Sequence, residues 1–408
     1  MFRLLAVGAV LVVTTPVFAE DKPKPNTLTP KEIAEGWILL FDGETTYGWE
    51  AIEFKDNKKA DISVKDGCLV ISGKGFPLLE NTATAKIGPN APNVQLTTRF
   101  ECFDLVGEYR HASKGTGLQV QVPGEISYSW LKPSSGDEWT PLHVLLTPEE
   151  TIIRAVETGK PHQMTGRLID PTNNEITGGG RGLGKDVLVS FGFVLPYGEE
   201  GKIELRNLKL RPANTKPLFT GKNLDGWSIN KADPKRMASE WEVTKDGELS
   251  LKNGPGDLVS EKEFDNFVLQ LECKSLGKWL NSGVFFRCIP GQYQNGYEAQ
   301  IQNGFIGDDR TKPVDFGTGA IYRRIPARKV VSNDNEWFTM TVVADGKHIA
   351  TWVNGYQTVD WTDDRPANDN PRNGYRAAKG LLSIQGHDRT TDLLFRNLRI
   401  AELPAEKK

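Results

Sequence analysis

Three segments in the second half of the chain set polar side chains at the two-residue spacing of a strand face. In Asn281-Ser-Gly-Val-Phe-Phe-Arg287, residues Asn281, Gly283, Phe285 and Arg287 share a side. In Gly296-Tyr-Glu-Ala-Gln-Ile-Gln302, Glu298, Gln300 and Gln302 alternate with Tyr297, Ala299 and Ile301. In Gly380-Leu-Leu-Ser-Ile-Gln-Gly-His-Asp388, Ser383, Gln385 and His387 alternate with Leu382 and Ile384. Amides beside a carboxylate suit hydrogen bonding to a hydroxylated ligand. A Glu and a His suit proton transfer, and an Arg suits developing negative charge. A solvated outer face would also explain a Glu-Gln-Gln stripe, and a lone strand His is more often structural than catalytic.

Two aromatic residues extend the set. Gly319-Ala-Ile-Tyr-Arg323 contributes Tyr322, and Thr351-Trp-Val-Asn354 contributes Trp352. Trp352 is either plain core or a flat platform for a sugar ring, since its body is apolar and its N–H polar. No CxxC or His/Cys ligand spacing suggests zinc. A divalent cation held through Glu298 and His387 is an option the residue types leave open.

The elements that must position these residues are strands, and they occur twice. Residues 40–49 read LFDGETTYGW and residues 218–227 read LFTGKNLDGW. Residues 205–208 read LRNL and residues 395–398 read FRNL. A repeat of this length is a whole domain rather than a solenoid unit. Alternation is clear in Val94–Phe100, Phe267–Glu272, Phe338–Val343 and His348–Val353. The turn pairs Asp66-Gly67, Asp246-Gly247, Asp345-Gly346 and Asn354-Gly355 punctuate the runs. Such runs predict an antiparallel sandwich or barrel in each half. Thr29-Pro30 reads as the start of a short helix ended by Gly36.

Aligned by eye, Trp49 matches Trp227, Glu138-Trp139 matches Glu336-Trp337, and Arg206-Asn207 matches Arg396-Asn397. Cys102 is set against Cys273, residues 115–121 against 281–287, Ile126 against Glu298, and Phe193 against His387. On this alignment the first copy lacks the Arg, the Glu and the His together, which shifts the second copy's set toward function.

The 408 residues carry a net charge of −3 and no basic run, which argues against a nucleic-acid partner. Residues 1–19 read as a secretory signal peptide cut after Ala19, with Arg3 ahead of the apolar run Leu4–Val13. That run is shorter than the ~20 residues of a membrane span. An exported protein, periplasmic or extracellular, is expected. Its segments are a linker 20–30, a first domain 31–212, a linker 213–217, a second domain 218–403 and a tail 404–408. Export permits disulfides. Cys68–Cys102 and Cys273–Cys288 would each stay within one copy, and four buried thiols are the equal alternative.

The blocks LFTGKNLDGW, NSGVFFR, GYEAQIQN, TGAIYR, NEW…WVNG and IQGH…FRNLRI resemble the family once called domain of unknown function 1080, now named 3-keto-disaccharide hydrolase. The resemblance covers Lys216 to Leu403, and the first copy looks like a divergent member without the site blocks. It implies an all-β fold of two tandem concanavalin A-like jelly-roll sandwiches. It also implies cleavage of glycosides already oxidised to a ketone at C3, by hydrolysis or by elimination followed by hydration.

The chemistry fits the residue types. A C3 ketone acidifies the C2 proton, a base removes it, and the aglycone leaves C1. Glu298 and His387 are base and acid in either order, and Arg287 is the group for the enolate oxygen. Asn281, Gln300, Gln302, Gln385, Tyr322 and Trp352 are the substrate-binding candidates, for a small glycoside or an oligosaccharide. An ordinary retaining glycosidase needs a second acid close by, but Gln300 and Gln302 occupy the nearest positions on that face. A non-catalytic carbohydrate-binding protein is the other alternative.

Overall fold

The computed structural model describes residues 24–53, 59–75, 92–122, 125–134, 136–147, 151–155, 167–169, 176–179 and 189–404. The signal-peptide reading lies outside these residues. The helix forms over Pro30–Ala34 with Thr29 as N-cap. Glu32 completes a capping box by reaching back to the Thr29 N–H, so two otherwise unpaired donors are satisfied together.

The rest is strand, and the alternation read from sequence becomes burial. Phe103–Arg110 alternates buried and half-buried residues without a break. The first sandwich pairs two sheets. One runs Thr151–Ala155, Thr140–Leu146, Phe103–Arg110, Glu200–Pro212, Cys68–Lys74, Asp61–Lys65, with Ile38–Leu39 also on Glu200–Pro212. The other runs Trp49–Ala51, Val94–Leu96, Ser190–Val194, Gly117–Val122, Glu125–Trp130.

The second sandwich repeats this plan. Its larger sheet runs Glu240–Val243, Leu249–Lys252, Asp392–Glu402, Phe267–Ser275, Trp337–Asp345, His348–Val353, Tyr356–Thr362. Its smaller sheet runs Trp227–Ile229, Gly256–Phe264, Gly380–Gly386, Ser282–Cys288, Tyr297–Ile301. Lys216–Pro217, expected in a linker, pairs antiparallel with Asp392–Glu402 as an edge of the larger sheet.

Side-chain details repeat as well. The indole N–H of Trp49 donates to the Leu40 carbonyl, and that of Trp227 donates to the Leu218 carbonyl, nine residues back in each case. Arg206 and Asn207 both donate to Glu108, and Arg396 and Asn397 both donate to Glu272. Each arginine also lies 4.0 Å over a tryptophan ring, Trp139 or Trp337. Asn207 and Asn397 share φ +53, a left-handed conformation that asparagine tolerates better than most side chains.

These anchors correct part of the alignment by eye. With Glu108 matching Glu272, Tyr109 stands opposite Cys273, not Cys102. Strand pairing sets Phe193 against Ile384, so His387 falls where Pro196 lies. Tyr128, rather than Ile126, takes the backbone position of Glu298. Residues 115–121 do match 281–287. The four cysteines are free and buried.

The core of the first sandwich includes Val268, Val343, Ala350 and Trp352 from the second. The two units therefore meet on the outer face of the second sandwich's larger sheet. Across that junction Gln270 donates to the Gly36 carbonyl at 2.8 Å, and Arg328 pairs with Asp42 at 2.8 Å. Arg99 meets Asp345 at 2.7 Å.

Candidate functional site

The smaller sheet of the second sandwich turns Leu258, Ile384, Val284, Ala299 and Ile301 inward to the core. Its other face should be wet, yet it is polar and buried. Directly paired residues in an antiparallel sheet share a face. One row across the sheet holds Val259, Ser383, Phe285 and Glu298. The next row holds Asp257 paired with Gln385, and Gly283 paired with Gln300. Asp257, Ser383, Gln385, Glu298 and Gln300 are all at most 7% exposed.

Buried polar groups normally carry hydrogen bonds. Here Asp257 Oδ1, Gln385 Oε1 and Gln300 Oε1 are buried acceptors without a partner among the described residues. Their other atoms are fixed. Asp257 Oδ2 accepts from Ser383 at 2.9 Å and from Asn230 at 3.2 Å. Gln385 Nε2 donates to Gln294 at 3.0 Å. Gln300 Nε2 donates to the carbonyl and carboxylate of Asp315, and Asn281 donates to the same carboxylate at 2.8 Å. Three oriented acceptors on one face suit a ligand rich in hydroxyl donors.

Glu298 is the centre of the row. Its side chain leans over Gly283, whose added Cβ would lie 2.6 Å from Glu298 Oε1. Only glycine leaves that space. Among the described residues the carboxylate has no hydrogen-bond partner. Burial pushes its pKa from 4.5 up to about 8, with Arg372 and Arg323 opposing and Asp315 reinforcing. It opens on a cavity of about 270 Å³ lined also by Tyr322, Arg323, Arg324, Arg372 and Asn373. Arg372 is held by its Nε, which donates to the Gln294 carbonyl at 2.9 Å. Tyr322 packs edge-on to Phe316, 5.3 Å between centroids. A protonatable carboxyl, a phenol and arginines thus face one space.

The sequence-derived residues divide into three groups. Glu298, Gln300, Asn281, Tyr322 and Gln385 belong to this face or its cavity. Gln302 lies at its end, where its Oε1 accepts from the Gly304 N–H and closes a turn. Arg287 and Trp352 lie elsewhere. A bulge between Phe285 and Cys288 puts Arg287 at φ +51 and turns it out of the row. Its fully buried guanidinium donates to the carbonyls of Asp265, Gly346 and Arg376 and to Asn266 Oδ1. An enolate has no access to it. Trp352 is 1% exposed on the opposite sheet, with its N–H on the Leu39 carbonyl at 3.0 Å. It is core, not a sugar platform.

His387 is half-exposed just past the strand end, with Nδ1 2.8 Å from Asp388 Oδ2. It lies four residues beyond Ser383, roughly 13 Å along the strand, and two strands from Glu298. The two do not form a pair. Nor do they form a cation site, because the nearest charges to Glu298 include two arginines that would repel a metal ion. Among the described residues no three His, Cys, Asp or Glu side chains converge on a metal position.

Sequence reasoning missed Asp257, Arg372 and Arg323. Asp257 is the second residue of the strand Gly256–Phe264, directly after Gly254-Pro255-Gly256, and reads as a turn residue. Its pairing with Gln385, 128 positions away, is invisible without the sheet. Burial raises its pKa, against the hydrogen bonds from Asn230 and Ser383.

No curated protein matches the chain. Among solved structures, a candidate glycosyl hydrolase from Parabacteroides distasonis ATCC 8503 is 22% identical, with TM-score 0.38, over 46% of this chain and 94% of its own. A second such protein of that organism is 26% identical, with TM-score 0.36, over 47% and 100%. The carbohydrate-binding module CBM66 of Bacillus subtilis is 15% identical, with TM-score 0.29, over 43% and 95%. No helix among the described residues is long and apolar enough to cross a membrane. The half of the chain that carries the buried polar face, residues 214–401, matches the family model described as a 3-keto-alpha-glucoside-1,2-lyase-like domain.

Proposed function

We propose that the second sandwich cleaves 3-keto-glycosides in an exported protein, and that the first is a divergent copy without the site. The observation that carries this reading is the unpartnered, buried carboxyl of Glu298 beside Arg323, Arg372 and Tyr322. In its anionic form Glu298 takes the C2 proton, and burial makes that anion a stronger base than a solvated carboxylate. Electrons from the C2–H bond form the enolate, whose oxygen at C3 gains from the arginine charges. The enolate expels the aglycone from C1, and the Tyr322 hydroxyl, which lines the same cavity, gives its proton to the departing oxygen. The unpartnered acceptors of Gln300, Gln385 and Asp257 receive sugar hydroxyls.

The test is release of aglycone from a 3-keto-glucoside against the unoxidised parent. Turnover of the keto form alone supports the reading, and equal turnover of both overturns it. The separation of His387 from Glu298 favours a second reading, a carbohydrate-binding protein without turnover. Sugar binding with no release from either substrate would establish that one.

A further inference from the structure

Trp279 is 42% exposed, unusual for the largest side chain. It also holds φ +55, a left-handed conformation that bulky residues avoid. The surrounding structure enforces this. The Trp279 backbone N–H donates to Asp334 Oδ2 at 2.9 Å, and Asp334 Oδ1 accepts from Asn303 at 3.0 Å. Costly backbone kept in place by such contacts is characteristic of functional positions.

The indole is built onto the end of the polar face. A Cβ on Gly304 would meet Trp279 Cδ2 and Gln302 Oε1, each at 2.9 Å. The ring therefore lies against the glycine backbone beside the Gln302 amide. Asn281, two residues after Trp279, ties to Gln300 through Asp315. Gln300 Oε1 supplies the independent sign of a ligand, a fully buried acceptor without a partner. The Lys278 ammonium, 4.8 Å from the ring centroid, is the only cation found over it among the described residues, and Lys278 is exposed.

We propose that Trp279 is an aglycone platform, and that the substrate carries further sugar units beyond the keto sugar. From Glu298 to Gln302 is four residues, roughly 13 Å along the chain. One sugar ring cannot both reach Glu298 and stack on Trp279. A sugar farther along the chain lays its C–H face on the indole while its hydroxyls meet the amides of Gln302 and Asn281. This assignment rests on the reading of Glu298 as the site of bond cleavage.

The experiment compares a glucose trisaccharide oxidised at C3 of its terminal unit with methyl 3-keto-glucoside. Trp279→Ala should lower kcat/KM about tenfold on the trisaccharide, equivalent to ~1.4 kcal/mol of lost stacking, and leave the methyl glycoside within twofold. Trp279→Phe should recover most of the loss. Equal losses on both substrates, or none on either, would overturn the platform. A second arm needs no turnover. The Trp279 indole N–H resonance, assigned with Trp279→Phe, should shift on titration with unoxidised maltotriose or cellotriose. No shift with either sugar overturns the platform. Failure of the wild-type protein to cleave both keto substrates, with the resonance still shifting, overturns the reaction and leaves the platform standing.

Discussion

Gly283 lies directly under the carboxylate of Glu298, close enough that a Cβ would stand 2.6 Å from Oε1 and 2.8 Å from Cγ. The Cβ would strike the side chain proposed as the base. Gly283→Ala should therefore cost stability on the order of 1–3 kcal/mol as an overpacked substitution. It should also displace Glu298 and lower kcat/KM by about 100-fold. Thermal unfolding and turnover of a 3-keto-glucoside, measured on one preparation, check both. A stable variant with full activity would show that the carboxylate is not held in place for reaction.

The proton on Glu298 sets two pH dependences. Its anion populates as pH rises through about 8, so kcat/KM should climb about tenfold per unit below that pH and then level. Glu298→Gln should remove at least about 100-fold of the rate. Stability moves the other way. The folded carboxyl keeps its proton up to about 8, while the unfolded one releases it near 4.5. Stability present below 4.5 is therefore lost as pH rises toward 8. Glu298→Gln escapes this loss, so its melting temperature should gain on wild type steadily between pH 5 and 8. A constant difference would argue that Glu298 is not raised.

Arg287 should behave as a structural residue. It is fully buried, and its guanidinium donates to three backbone carbonyls and Asn266 Oδ1. Arg287→Met would strand those acceptors and cost on the order of 3 kcal/mol. Folded variant recovered at low temperature should retain kcat within a fewfold. A stable variant with no turnover would restore Arg287 to the reaction.

Asp257 should act on binding. Asp257→Asn preserves the contacts to Asn230 and Ser383 but turns a donor toward the place of an unpartnered acceptor. KM for an oligosaccharide oxidised at its terminal unit should rise about tenfold, corresponding to one lost hydrogen bond of ~1.4 kcal/mol, with kcat nearly kept. A fall in kcat alone would instead make Asp257 a participant in proton transfer.

The fold was legible because both halves announce it locally. Asp66 and Gly67, and again Asn354 and Gly355, take positive φ at both turn positions, as alternating strands joined by such pairs require. Half of the site was legible as well, since Glu298, Gln300 and Gln385 follow strict alternation within one strand each. What failed involved departures from alternation or contacts between distant strands. A single bulge reversed Arg287. Packing of the first sandwich on the second turned Trp352 from candidate platform to core. His387 was read as part of its strand, but the strand ends at Gly386. Asp257 and Arg372 come from segments whose own patterns are those of turns; only the assembled sheet puts Asp257 on the face that carries Glu298, and only a covering loop brings Arg372 into the Glu298 cavity.

The matching clasps, Arg206 and Asn207 on Glu108 and Arg396 and Asn397 on Glu272, give the molecule an internal reference. Glu108→Gln and Glu272→Gln make the same chemical change in matching clasps, Glu272 being the more buried, one in the first sandwich and one in the sandwich proposed to carry the reaction. A difference in their effects on turnover, at equal effects on melting, isolates what mechanical stiffness contributes to the reactive half.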